Sequence, residues 1–182
     1  MRTVFFLLAA CLFSAPSVSA QPAASSDADS PMDPLAFLAG EWEGEGWMMV
    51  GPNQRHTFVQ KEHVETRLDG NLMLIEGLGR ASEDTSRVVH HAFAVVSYNA
   101  ADGLYVMRAH RANGAGTQSI DAEATVEDGA FVWGFDDPRA GTIRYTIRED
   151  EDGRWFEIGE MSRDGGATWF QFFEMTLERV DA

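Results

Sequence analysis

After Gly40 the sequence alternates short β-like runs with turn signals at regular spacing, and this alternation constrains the fold more than any other feature. The signals GPNQ, DGN, NAADG, ANGAG, EDG, DPRAG and EDEDG supply the Gly, Asn, Asp and Pro residues that turns require. Ten strands are predicted between them, at residues 41–50, 56–68, 72–79, 88–98, 104–110, 117–126, 130–135, 142–148, 155–162 and 168–179. Because short turns join them and closure removes both sheet edges, the sequence predicts an all-β, single antiparallel up-and-down barrel.

A short helix is predicted immediately before the first strand. In the segment DPLAFLAG, Asp33 can cap the helix N-terminus, Pro34 suits the first helical position, and Gly40 suits a left-handed exit. The barrel domain is therefore predicted to span residues 33–182 and to open with this helix.

Residues 1–20 have the features of a cleavable secretory signal. Arg2 supplies a positive start, VFFLLAACLF is an apolar run, and VSA ends in small residues before Gln21. The run is shorter than the roughly 20 residues that a bilayer-spanning helix needs. We therefore expect a signal peptide (1–20), a flexible linker of small and polar residues (21–32), and a secreted or periplasmic product. The stretch LAAC resembles a lipobox, so lipid anchoring at Cys11 is the alternative.

The charge of the chain excludes two classes of partner. Asp and Glu number 29 against 14 Lys and Arg, which gives a formal net charge of −15. Nucleic acids and anionic membranes both attract cationic surfaces, so neither is expected to bind. Removal of the signal would also remove the only cysteine, Cys11. Stability is then expected to come from core burial and not from disulfides.

Alternation inside the runs predicts which side chains point into the barrel. In the second run Gln60 and Glu62 share a face with Phe58, Val64 and Leu68, so a mostly apolar face carries two polar groups inward. The same pattern predicts further inward residues on later strands: Phe131, Trp133, Phe135, Ile143, Tyr145, Ile147, Trp169, Phe173, Met175 and Leu177. The third, fourth and ninth runs have apolar residues on both parities and leave these polar residues unplaced: Glu76, His90, His91, Glu157 and Glu160.

The two ends of the domain resemble those of calycins, which are the lipocalin, fatty-acid-binding-protein and nitrobindin-like barrels. Gly40-Glu41-Trp42 after a short helix is similar to their G-x-W entry. The resemblance implies that Trp42 packs at the closed end of the barrel beside Arg179 of MTLERV. Segments from FLAGEWEGEGW to EIGEMSRDGGATWFQFFEMTLERV, over residues 35–180, also resemble a bacterial domain-of-unknown-function family with a calycin-like barrel. That family implies a fold and no particular activity.

The histidines do not indicate a haem or metal site. The resemblance to nitrobindins would place a haem-binding histidine near the C-terminal strands, but the last histidine here is His110. His90 and His91 are adjacent, so on a strand they point to opposite faces. No H-x-x-x-H spacing occurs. We therefore expect no metal and no cofactor.

The segment SRDGGATW, residues 162–169, fits the Asp-box pattern S-x-D-x-G-x-T-W of sialidase propellers. Such propellers repeat the motif over several hundred residues, whereas this chain contains it once and lacks the paired catalytic groups of a glycosidase. Asp164 can accept hydrogen bonds from turn amides, and Gly165 and Gly166 tolerate positive φ. The segment therefore predicts the last hairpin of the barrel and not a sugar-cleaving site.

The predicted function is binding of a small hydrophobic molecule in the barrel lumen. A ten-stranded barrel has room beyond its own side chains, and aromatic walls with a few polar groups are typical of small-molecule sites. Gln60 and Glu62 would orient the polar end of the ligand. The candidate lining residues are Phe58, Gln60, Glu62, Phe131, Trp133, Tyr145, Trp169 and Phe173.

Two alternatives to a binding protein stay open. An enzyme of isomerase or hydrolase type could use an inward Glu62 whose pKa is raised by burial, paired with Glu76 or Glu160 as a general acid–base couple. No G-x-S-x-G elbow is present, and no catalytic residue is assigned. The other alternative is a structural or interaction domain whose barrel is filled by its own side chains.

Overall fold

All ten predicted runs form strands, in the predicted order, in a computed structural model that describes residues 30–180. A 3-10 helix (Asp33–Leu38) precedes them. The strands are β1 (Gly40–Gly51), β2 (Gln54–Arg67), β3 (Leu72–Ala81), β4 (Asp84–Asn99), β5 (Leu104–Ala112), β6 (Thr117–Glu127), β7 (Ala130–Asp137), β8 (Gly141–Glu149), β9 (Trp155–Ser162) and β10 (Phe170–Arg179). The predicted signal peptide (1–20), with Cys11, and residues 21–29 of the predicted linker lie outside the described residues.

The sheet closes on itself. Each strand pairs antiparallel with its neighbours in sequence, and β1 also pairs with β10. The closing seam runs from Trp42 opposite Arg179 to Met48 opposite Phe173, so both edges of the sheet are paired. The predicted class, an all-β up-and-down barrel of ten strands with a short helix before the first, is confirmed. Within residues 30–180 no helix is long and apolar enough to cross a membrane.

The 3-10 helix covers one end of the barrel. Leu38 has no exposed surface, and the Trp42 indole donates a hydrogen bond to its backbone oxygen at 2.9 Å. The guanidinium of Arg179 lies 4.1 Å from the centre of the Trp42 ring. It also donates to the backbone oxygens of Phe37, at 3.0 Å, and of Ala39. These contacts hold the helix against the first and last strands.

The folded part begins slightly before the predicted domain start. Met32 is 5% exposed and belongs to the core, and the Tyr105 hydroxyl donates to the backbone oxygen of Pro31 at 2.6 Å. The predicted capping role of Asp33 is wrong, because Met32 occupies the cap position without a side-chain hydrogen bond. The carboxylate of Asp33 instead accepts from the amide of Ser30, at 2.8 Å, and so orders the approach to the helix.

Large side chains fill the half of the barrel next to the helix. Trp42 and Trp155 meet edge to face with ring centres 5.9 Å apart. Tyr105 packs in the same way against Phe131 at 6.0 Å. Because successive antiparallel strands alternate in direction, the hairpins β1–β2, β3–β4, β5–β6, β7–β8 and β9–β10 all lie at the other end. That other half contains the lumen.

Two strand ends depart from the predicted alternation. β2 ends at Arg67, and the chain turns through Leu68 with φ 53°, stabilised by a hydrogen bond from the Asn71 amide to the Leu68 oxygen at 3.1 Å. Leu68 is 71% exposed, so the prediction that it faces the interior is wrong. In β10 the register shifts between Gln171 and Phe173, which marks a β-bulge. A bulge reverses the alternation of the residues that precede it.

Candidate ligand-binding lumen

The open half of the barrel encloses a lumen with two adjoining lobes of about 170 and 150 Å³. The first lobe extends between Ile75, Ala94 and Met107, and the second extends between Phe58 and Phe173. Six residues line both lobes and therefore join them: Glu62, His90, Arg111, Trp133, Tyr145 and Glu157. Together the lobes reach the lower end of the volumes of small-molecule sites.

Six of the eight predicted lining residues reach this lumen, namely Phe58, Gln60, Glu62, Trp133, Tyr145 and Phe173. Phe131 is inward and fully buried, but it packs in the closed half against Tyr105 and lines neither lobe. Its prediction as a lumen residue is therefore corrected. The physical reason is that alternation gives the face of a strand and not the depth along the barrel axis.

Trp169 lies outside the barrel, contrary to the prediction. It precedes β10, and the bulge between Gln171 and Phe173 reverses the alternation that would have turned it inward. On the outer face of β8, the guanidinium of Arg144 lies 3.9 Å from the centre of the indole ring. Trp169 therefore forms part of the outer surface and is removed from the candidate ligand contacts.

Glu62 and Gln60 lie side by side on β2 and are 6% and 3% exposed. The Gln60 amide donates to Oε1 of Glu62 at 2.6 Å. Both side chains lie over glycines of β3, since Gln60 pairs with Gly79 and Glu62 pairs with Gly77. A β-carbon at Gly77 would stand 2.6 Å from Oε1 of Glu62. These two glycines therefore leave the space that the polar side chains occupy.

Glu157 on β9 is a second buried carboxyl group in the lumen, 7% exposed. Its Oε2 accepts a hydrogen bond from the Trp155 indole at 3.1 Å. Across the sheet it pairs with Ile147 of β8 and Met175 of β10, so apolar side chains flank it on both sides. Glu157 is therefore the second carboxyl group of the lumen, a position that the sequence predicted for Glu76 or Glu160.

Glu76 and Glu160, the two predicted partners of Glu62, lie on the outer surface of the barrel. Oε1 of Glu76 is 3.5 Å from Nε2 of His91. Oε2 of Glu160 accepts from the Arg144 guanidinium at 2.7 Å. Neither carboxylate lines the lumen, so the predicted acid–base couples are replaced by the pair Glu62–Glu157.

Burial raises the pKa of both lumen carboxyl groups. Loss of water raises the pKa of Glu62 to about 7, and the hydrogen bond from Gln60 opposes this rise. Loss of water, and then the negative charge of Glu62, raise the pKa of Glu157 to about 8, and the Trp155 indole opposes this rise. Because two carboxyl groups in one cavity disfavour simultaneous ionisation, the pair retains a proton near neutral pH.

Tyr145 and Trp133 both line the lumen and stack on each other, with ring centres 4.4 Å apart and planes inclined by 14°. The Trp133 indole nitrogen is buried and has no hydrogen-bond partner within residues 30–180. Burial, followed by the charge of Glu157, raises the pKa of the Tyr145 hydroxyl, which stays protonated. An unpaired buried donor costs free energy.

His90 and Arg111 are basic side chains that line both lobes. Burial lowers the pKa of His90 to about 4, and the charges of Arg111 and His91 add to this, so the imidazole is neutral at pH 7. None of the ion pairs within the described residues involves Arg111. The alternation of apolar and polar residues in the sequence did not assign His90 to a face of its strand. Arg111 was missed because the predicted fifth run ended at residue 110, whereas β5 ends at Ala112.

The Asp-box segment forms the β9–β10 hairpin at the open end. Oδ1 of Asp164 accepts from the Thr168 amide at 2.9 Å and from the Ser162 hydroxyl at 2.8 Å, and Oδ2 accepts from the Thr168 hydroxyl at 2.6 Å. These bonds, those from Thr168 above all, lower the pKa of Asp164 to about 2. The carboxylate is used within the turn and lines neither lobe of the lumen.

No group of three or more His, Cys, Asp or Glu side chains in the described part of the chain is placed to hold a metal ion. The lumen offers apolar walls, two carboxyl groups and a stacked pair of aromatic side chains. It can bind an organic molecule with one or more polar groups, and its carboxyl groups can hold or transfer a proton.

No protein-family model matches the chain, and no curated protein sequence matches it significantly. Among solved structures the chain is similar to Rv2717c from M. tuberculosis, with a TM-score of 0.58 and 14% identity over 85% of this chain and 100% of that one. It is also similar to the S-type phycobiliprotein lyase CPES from Guillardia theta, with a TM-score of 0.56 and 13% identity over 80% of this chain and 90% of that one. The topology and these likenesses define the class: the protein is a calycin-like β-barrel.

Proposed function

We propose that the protein binds a small, largely apolar molecule in the barrel lumen and that Gln60 and Glu62 orient the polar end of this ligand. The observation that carries the proposal is one cavity in which apolar walls surround a few converging polar groups. Such a combination is typical of small-molecule sites. The protein is further proposed to be exported through the signal at residues 1–20, with lipid anchoring at Cys11 as the alternative.

The size of the lumen limits the size of the ligand. An apolar cavity of about 150 Å³ accommodates a benzene-sized ring, so the two lobes suit a molecule with one or two rings. Burial of apolar surface would contribute about 25 cal/mol per Å² before the costs of ordering the ligand. The polar groups would contribute mainly to orientation and selectivity.

The structural neighbours support the class of function and not a particular ligand. One of them is, by its name, a phycobiliprotein lyase, so a barrel of this shape can carry a functional site in addition to a core. Fold similarity at this level of identity does not transfer a substrate.

Native mass spectrometry of the protein purified from its own organism tests the proposal. The wild type is expected to carry an additional mass that is released by denaturation. Ala109→Phe, which projects a ring into the first lobe, should abolish this mass. Val106→Phe on the outer face of the same strand should retain it and serves as the control. A wild type without bound mass, or equal occupancy in Ala109→Phe, would contradict ligand binding in the lumen.

A second candidate function is acid–base catalysis by Glu62 and Glu157. The observation that favours it is the pair of carboxyl groups in one cavity with pKa values of about 7 and 8, which suits proton transfer near neutral pH. An isomerase of this kind would exchange a C–H proton of the bound molecule with solvent. Incubation of the released molecule with protein in D2O should then add deuterium, and Glu62→Gln should stop the uptake. A molecule recovered without deuterium and without hydrolysis would leave binding as the function.

The third alternative, a structural domain with a filled barrel, requires an interior without free volume. The two lobes argue against it. We retain it only as the explanation that would follow if neither bound molecule nor added probe were found in the lumen.

A further inference from the structure

We propose that the ligand of the lumen carries a basic nitrogen, as a protonated amine or a related organic cation, and that Glu62 and Glu157 together form its receptor. This inference rests on the proposed binding function and adds the chemical class of the ligand. It starts from the placement of two buried carboxyl groups in one cavity. Neither of them takes part in an ion pair within residues 30–180.

Each carboxyl group has one oxygen engaged by the protein and one oxygen free. Oε1 of Glu62 accepts from Gln60, and Oε2 of Glu157 accepts from Trp155. Within the described part of the chain, no side-chain hydrogen bond reaches the second oxygen of either group, which is Oε2 of Glu62 and Oε1 of Glu157. An ammonium group has three donors and no acceptor, so it can bridge two such oxygens, whereas a hydroxyl can donate to only one.

No positively charged side chain within residues 30–180 stabilises the ionised form of either carboxyl group. Burial raises the pKa of both carboxyl groups, and no nearby positive charge lowers either value. The other titratable groups that line the lumen are His90, His110, Arg111 and Tyr145. Among these, Arg111 acts by charge on His90 and Tyr145 and is not a cause of either carboxyl shift. A buried carboxylate needs a counter-charge, which a ligand cation supplies.

The remaining walls suit the carbon skeleton of an amine. Trp133 and Tyr145 line both lobes with aromatic carbon, against which the apolar part of an amine can pack. Outside the lumen, the net charge of −15 raises the local concentration of organic cations over that of anions. The net charge favours an amine over a carboxylic acid of the same size.

Isothermal titration calorimetry with three probes of one skeleton tests the inference: 2-phenylethylamine, 2-phenylethanol and phenylacetate. At pH 7.5 the amine is expected to bind at least tenfold more tightly than the alcohol, and phenylacetate is expected to bind most weakly. In the single variants Glu62→Gln and Glu157→Gln the amine should lose at least tenfold in affinity, while the alcohol should change little. Glu160→Gln, on the outer face of β9, is the matched control and should bind all probes as the wild type does.

Proton release gives a second readout that a purely structural role of the two residues would not change. Titrations in phosphate and in HEPES, which differ in ionisation enthalpy, should show that the amine displaces protons from the pair and that the alcohol displaces none. Equal affinity for amine and alcohol, or a preference for phenylacetate, would overturn the inference and leave the lumen as a binding site. Failure of all three probes to bind would overturn the inference and count against the proposed function as well.

Discussion

At the scale of single residues, the lumen is defined by two carboxyl groups that the chain buries without a basic partner. Burial of such groups is unfavourable, and Glu is rarely buried unless it is paired. Gln60 reduces the cost for Glu62, Trp155 reduces it for Glu157, and protonation reduces it for both. Because an apolar residue at either position would fill the barrel more stably, the pair is more consistent with a site than with a core.

The double variant Glu62→Gln, Glu157→Gln is expected to make stability less dependent on pH. In the unfolded chain both groups ionise near pH 4.5, but in the folded protein they ionise at about 7 and 8. Between these limits the folded state retains protons that the unfolded state has released, so stability falls as pH rises. Each group that titrates contributes about 1.4 kcal/mol per pH unit. The melting temperature of the wild type should therefore fall by several degrees from pH 6.5 to pH 8.

Differential scanning calorimetry over this range measures the difference between wild type and double variant. His90, whose pKa is lowered to about 4, is neutral in the folded state over this range, and the proton it still binds in the unfolded state near pH 6.5 is the same in both proteins and cancels. Other groups with a raised pKa, such as His63, make the same contribution to the pH dependence of stability in both proteins, so their contribution cancels in the comparison. An identical slope in wild type and double variant would show that the pair is not buried as described.

The sequence placed one member of the pair and not the other, for a physical reason. Gln60 and Glu62 stand in a run whose alternation is clear, so their inward direction follows from period two. Glu157 stands between Phe156 and Ile158, which are apolar and lie on the outer face. With apolar residues on both parities, only the pairing of β9 with its two neighbours assigns the faces, and pairing is not visible in one sequence.

At the scale of elements, Arg179 joins the 3-10 helix to the first and last strands at one end of the closing seam. We expect Arg179→Met to destabilise the protein by about 1–3 kcal/mol, because it removes two hydrogen bonds to backbone oxygens and the contact of a cation with the Trp42 ring. Urea denaturation measures this loss. Arg148→Met is the control, since Arg148 lies 4.9 Å from the Phe156 ring centre on the outer surface. Equal losses in the two variants would contradict a special role of Arg179 in closure.

The β9–β10 hairpin depends on Asp164 in a manner that pH can reveal. The pKa of Asp164 is lowered to about 2 in the folded protein, chiefly by hydrogen bonds from Thr168, against 3.8 as its usual value. The stability it contributes is therefore present above about pH 3.8 and is lost as pH falls toward 2. Asp164→Ala should melt at a lower temperature than the wild type at pH 7, and this difference should shrink below pH 3.

Thermal unfolding followed by circular dichroism at pH 7, 4 and 2.5 checks this expectation for the hairpin. Asp152→Ala, in the exposed β8–β9 turn, provides a comparison outside the Asp-box. If Asp164→Ala melted with the wild type at pH 7, the Asp-box would have no stabilising role in the turn.

Element boundaries are where the sequence was least informative. The order and number of strands followed from the turn signals, but the bulge in β10 and the last residues of β5 did not. A bulge adds a residue to a strand without a recognisable sequence signal. The side chain of Trp169 therefore lies on the face opposite to the predicted one. Arg111 was missed because the following residues, Ala112 and Asn113, were assigned to a turn, although only Asn113 lies beyond the strand.

At the scale of the whole molecule, the barrel divides its interior between stability and binding. The half next to the helix is packed with large side chains such as Trp42, Tyr105 and Phe131, and the other half contains the lumen. A packed half can supply the free energy of folding while the open half tolerates free volume and buried polar groups. The sequence predicted the closed barrel, but it could not divide the inward residues by depth, since depth depends on the register of all ten strands.

The most direct test of a ligand-binding lumen is the response of the five tryptophan indole N–H signals in a two-dimensional nitrogen–proton NMR spectrum. Trp133 and Trp155 line the lumen, whereas Trp47 and Trp169 lie on the outer surface. Saturation with the tightest-binding probe should shift the signals of Trp133 and Trp155, the former most strongly because Trp133 lines both lobes. The signals of Trp47 and Trp169 should stay in place. Shifts confined to Trp47 and Trp169, or no shift of Trp133 at saturation, would contradict binding inside the barrel.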